Sequence, residues 1–69
     1  MKKKKEAATM KKTAYLLYKF TTLEGHTYTV MAENLLAAQW NVELAHHVDL
    51  SGALYRVFRN NEIVRVGTI

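Results

Sequence analysis

Apolar positions change their period twice along the chain. From Ala14 to Thr22 and again from His26 to Met31, Tyr, Leu, Phe, Val and Thr dominate, and both runs read as strands. From Asn34 to Val48 the period lengthens. Leu36, Trp40, Leu44 and Val48 recur every fourth residue with Ala37 beside them, which predicts a helix with a core-facing stripe anchored by Trp40. Ala53–Arg59 and Glu62–Thr68 return to strand character. The expected fold is α+β in the order ββαββ: a four-stranded antiparallel sheet made of two hairpins, with one helix packed on one face.

The turns carry their own chemistry. Gly25 closes Leu23-Glu24-Gly25, and a three-residue hairpin loop takes a left-handed residue at its third position, where glycine is least strained. That register sets Phe20 against Tyr28 and Tyr18 against Val30, and gathers Ala14, Leu16, Tyr18, Phe20, Tyr28 and Val30 on one face; a two-residue loop would split the set. Asn60-Asn61 predicts a two-residue turn, because Asn tolerates positive φ at both central positions. Asn34 is placed to cap the helix N-terminus, and Gly52 marks where the helix must have ended. His46 and His47 fall in its last turn, where a protonated imidazole suits the dipole.

Two surfaces remain without an assigned cover. Leu35, Ala38 and Val42 form a second apolar stripe on the helix, on the side away from Leu36 and Leu44, and are read as a dimer or partner face. On the sheet, an unbroken two-residue turn puts Tyr55, Val57, Val64 and Val66 on the core side. The opposite side then shows Tyr15, Leu17 and Lys19, with Thr27, Thr29 and Met31, and Leu54, Arg56, Phe58, Ile63 and Arg65, Arg56 lying opposite Arg65. Such an aromatic, arginine-bearing surface matches protein interfaces. It also matches sheets that stack bases and hold phosphates.

Composition narrows the picture. Sixty-nine residues make one domain whose own core is barely sufficient, and without cysteine neither a disulfide nor a thiolate metal site can assist. Tight packing or a partner must compensate, and a homodimer is expected. The net charge of +4 is concentrated at one end: residues 1–12 hold six lysines against Glu6, whereas residues 13–69 hold four cations against five carboxylates. Residues 1–12 are therefore read as a disordered basic tail and 13–69 as the folded domain. Such a tail attracts polyanions without sequence preference. No apolar run has the length of a signal core or a membrane span, so a soluble, cytoplasmic protein without membrane contact is expected.

Chemistry has little to build on. His46 and His47 point about 100° apart on a helix and cannot share one ion in the usual way, and His26 stands alone at the first hairpin. Ser51 is the only serine, Asp49 and Glu43 read as solvated, and the three glycines are isolated, so no nucleophile–base pair or phosphate cradle emerges. The expectation is a non-enzyme without metal or cofactor: a small protein-binding module, homodimeric. The alternative is a nucleic-acid-binding module that uses the arginine-bearing sheet face together with the lysine tail.

Overall fold

The computed structural model describes residues 15–69. The expected basic tail, residues 1–12, lies outside the described residues, as do Thr13 and Ala14. Strands β1 (Leu16–Thr21) and β2 (Thr27–Ala32) are followed by helix α1 (Leu35–His46) and strands β3 (Leu54–Arg59) and β4 (Glu62–Thr68). The strands form one antiparallel sheet in the order β2-β1-β3-β4, with α1 on one face. The ββαββ expectation holds.

The first hairpin keeps the register that its loop chemistry dictates. Phe20 faces Tyr28, Tyr18 faces Val30, and the Thr22 N–H donates to the His26 carbonyl at 2.8 Å. Gly25 takes φ 95°, the left-handed conformation that closes a three-residue loop. In the second hairpin Asn60 and Asn61 adopt φ 53° and 68°, the paired positive values of a type I′ turn.

Beyond that turn the ladder departs from expectation. Phe58 faces Ile63, but Val57 faces Arg65, so Val64 is an inserted residue and β4 carries a β-bulge. Every β4 side chain past this point changes sides. Arg56 lies opposite Val66 rather than Arg65, and Arg65 sits on the helix side with Val57. Tyr55 lies opposite Gly67, not opposite Val66. The Tyr55 ring covers the glycine so closely that a Cβ there would fall 2.6 Å from its hydroxyl oxygen and 2.7 Å from Cζ. Gly67→Ala must therefore displace a ring packed against the core, and is expected to lower stability by about 1–3 kcal/mol. A urea melt checks this; an unchanged midpoint would show that the ring swings away freely.

Helix α1 starts where Asn34 predicts. The Asn34 side chain accepts from the Ala37 N–H at 2.8 Å. The helix ends at His47, whose left-handed backbone (φ 55°, ψ 47°) lets the Val48 N–H reach back to the Glu43 carbonyl at 3.2 Å, a Schellman closure. The chain then turns inward. The Glu43 carboxylate accepts from the Leu50 N–H at 3.0 Å and from the Gln39 amide at 3.2 Å, which fixes Leu50 in a fully buried position. Ala53 follows it into the core, and the Ile69 N–H donates to the Ala53 carbonyl at 2.9 Å, tying the last residue to this loop.

The core consists of Tyr18, Phe20, Ala32, Ala38, Val42, Leu50, Ala53 and Val57. The helix meets it with Ala38 and Val42, and with Leu35 packed alongside. This reverses the expected orientation. Leu36, Trp40 and Leu44 point to solvent, and Trp40 is not the core anchor. The sheet already supplies bulk through Tyr18, Phe20 and Tyr28, so the helix must approach with small side chains on its inner face. Trp40 directed downward would overfill that space.

Candidate interaction surfaces

The outer face of α1 is a row of large apolar side chains at four-residue spacing. Leu36 is 53% exposed, Trp40 56% and Leu44 75%. On one side the flanking row, Ala37, Asn41 and Ala45, is short; on the other stand Gln39, Glu43 and His47, with the Gln39 and Glu43 side chains bonded to each other. Together the three expose on the order of 400 Å² of apolar surface, in the range of the largest patch found on typical monomers. The Leu35/Ala38/Val42 stripe expected to serve this role is instead spent inside the chain: Ala38 and Val42 are buried and Leu35 packs on the core.

The sheet face opposite α1 is the second uncovered surface. β1 contributes Leu17 and Lys19, β2 Thr29 and Met31, β3 Leu54, Arg56 and Phe58, and β4 Ile63 and Val66, with Tyr15 just ahead of β1. Ten of the eleven residues expected there are on this face: Tyr15, Leu17, Lys19, Thr27, Thr29, Met31, Leu54, Arg56, Phe58 and Ile63. Arg65 is the exception, carried to the other side by the bulge, and Val66 takes its place. Arg56 nevertheless has a cationic neighbour, because the β1–β3 register sets it directly opposite Lys19. Like charges so placed repel mildly in the absence of an anion. The Lys19 ammonium lies 5.6 Å from the centroid of the Phe58 ring, a cation–π contact that eases the crowding. Among the described residues no carboxylate alternates onto this face: Glu62 lies opposite Arg59 on the helix side, and Glu24, Glu33, Glu43 and Asp49 lie off the sheet.

Besides a cleft of about 250 Å³ along the β3–β4 ladder at Leu54, Arg56 and Val66, two shallow clefts adjoin these surfaces. One, of about 290 Å³, opens at the β3–β4 end of the outer sheet face between Tyr15, Leu17, Met31, Phe58 and the turn residues Asn60 and Asn61. The other, of about 330 Å³, lies on the helix side where β4 extends past the cover of α1, and is bordered by Leu35, Val57, Val64 and Arg65, with Glu33 at its rim. The position of Arg65 at this open border explains how an arginine can share a face with the core without being buried.

The histidines and the serine have structural uses. The His46 ring lies 4.7 Å from that of Tyr28, holding the last helical turn to β2, and His47 forms the helix cap with its side chain exposed. The Asp49 carboxylate accepts from the Ser51 N–H at 2.9 Å and from the Ser51 hydroxyl at 2.8 Å, closing the turn that delivers Leu50. These bonds, the backbone one first, hold the Asp49 carboxyl below its ordinary range. The folded state thus binds this proton less tightly than the unfolded chain. The resulting stabilisation is complete above the ordinary Asp value of about 3.9 and drains away as pH falls through the lower folded value. Urea midpoints measured from pH 5 downward should fall, and Asp49→Asn should make that fall shallower. The effect is small because the side chain is solvent-exposed.

Among the described residues no group of three or more His, Cys, Asp or Glu is arranged to hold a metal ion, and no helix is long and apolar enough to cross a membrane. No protein family, curated protein or solved structure matches the chain.

Proposed function

We propose that the protein is a small non-catalytic interaction module that pairs with a second copy of itself through the outer face of α1. The observation that carries this reading is the exposed row Leu36, Trp40 and Leu44, apolar side chains that the chain's own fold leaves in water.

The row reads the same in both directions about Trp40. A two-fold interface needs that property, since residue i must meet residue j while j meets i. With two such helices antiparallel, Leu36 meets the partner's Leu44 at each end, and the two Trp40 rings meet on the axis. The short Ala37/Asn41/Ala45 row beside it provides the groove into which a ridge of four-residue spacing fits. The ridge itself carries no charge, so like groups do not oppose the approach. Its area is roughly half of the ~800 Å² per partner that a stable interface covers. Pairing through this face alone is accordingly reversible and concentration-dependent.

Sedimentation of the full chain across a wide dilution series tests the reading. A monomer–dimer equilibrium that Trp40→Glu abolishes supports it. A monomer at every concentration, or a dimer indifferent to Trp40→Glu, overturns it.

A further inference from the structure

The sheet face opposite α1 is chemically unlike the helix face. Its centre is the Lys19–Arg56 pair, its surroundings are apolar and aromatic, and among the described residues no carboxylate is present on it. A second copy docked through this same face would bring the same cations and add to the repulsion already present there. The complementary occupant is an anion with flat apolar groups.

We propose that this face binds single-stranded nucleic acid, with a base in the Tyr15/Met31/Phe58 cleft and backbone phosphate on Lys19 and Arg56. Three features converge on it. Tyr15 is 58% exposed and lines the cleft, so its ring is free to take a base, whereas Phe58, partly covered by Lys19, forms the wall. The Asn60 and Asn61 amides stand at the cleft rim, each with a donor and an acceptor that can meet the polar edge of a base. Lys19 and Arg56 lie two residues along their strands from Leu17 and Phe58, about 7 Å, the span between a base and its own phosphate. The sequence adds charge ahead of Tyr15. Six of the chain's ten cations precede Tyr15, the residue that lines the cleft. An extended polyanion uses both sets, whereas a single phosphate or a short acidic peptide uses one.

The test is fluorescence anisotropy of the full chain with a labelled 12-nucleotide oligouridylate, titrated at low and at moderate salt. Binding should weaken as salt rises. Tyr15→Ala should weaken it about 5- to 100-fold without changing the salt slope, the loss of one stacked base. Arg56→Gln should reduce the slope by about one contact. Deleting residues 2–5 should flatten the slope further while leaving the Tyr15 effect in place. Circular dichroism of each variant confirms the fold; both side chains are exposed. The proposal is overturned by no binding at low salt. It is equally overturned by binding that ignores Tyr15→Ala and Arg56→Gln, which would be capture by the lysines alone. A 12-residue polyglutamate that binds as tightly as the oligonucleotide also sinks it, since the site would then be an acidic-peptide site. Trp40→Glu leaves this binding intact, so failure of helix pairing and failure of the sheet site are read separately.

Discussion

Phe20→Ala is expected to unfold most of the protein at room temperature. Phe20 has no exposed surface and stands on β1, one of the two strands bonded to a neighbour on each side, below the helix. Its Tyr18 neighbour stacks at 6.5 Å, and Tyr28 and Tyr55 face it from the adjacent strands. Truncating such a ring removes its transfer energy and leaves a cavity, about 3–5 kcal/mol in total. Domains hold roughly 0.05–0.15 kcal/mol per residue, so a chain of this length has about 3–10 kcal/mol to lose. At the low end of that range, where so short a chain belongs, the loss takes the whole. Circular dichroism of Phe20→Ala against Phe20→Leu checks it. The leucine variant keeps most of the volume and should retain a cooperative melt. Two similar melts would mean that the core is less tightly filled than its burial implies.

Trp40→Ala is expected to do the opposite: to leave the fold standing while removing self-association. Just over half of the side chain is already in solvent, so the intramolecular cost should stay near or below about 1 kcal/mol. At the proposed helix interface the same residue would lie on the two-fold axis and be removed from both copies at once. A buried tryptophan anchor contributes about 2 kcal/mol or more, so the dimer should weaken by roughly 30-fold at least. The chain has one tryptophan, which makes its emission a direct reporter. The spectrum should shift to shorter wavelength as the protein is concentrated, in step with sedimentation. Emission that never changes with concentration would remove the argument.

Much of this architecture could be read from residues whose effect is local. Gly25, Asn34 and the Asn60-Asn61 pair each do at their positions what their backbone and side-chain chemistry favours, so the hairpins and the helix start were legible. The first register was legible because only one pairing keeps Tyr18, Phe20, Tyr28 and Val30 together. The helix orientation was not, because both of its sides are apolar and size pointed the wrong way. Trp40 seemed to belong inside, yet the aromatic rings of the sheet had already claimed that volume. The bulge was hidden for a different reason. Ile63-Val64-Arg65-Val66 suits a strand in either phase, and only the fit of Tyr55 over Gly67 distinguishes them. Leu50 was missed because its burial depends on Glu43 reaching across from the helix, a contact with no sequence period. Of the outer sheet face, alternation identified everything up to Phe58 and Ile63, and failed at Arg65, just past the insertion.

The inserted Val64 has a consequence for how copies of this chain can meet. β4 borders the sheet and displays Ile63, Val64 and Val66, each more than half exposed. A flat ribbon of that composition would be a template for runaway fibre growth, each new chain adding its own margin to the last. The extra residue kinks the ribbon and throws its outward amides out of step, so an incoming strand meets a broken row of partners. Growth at this margin is obstructed while the greasy side chains stay on display.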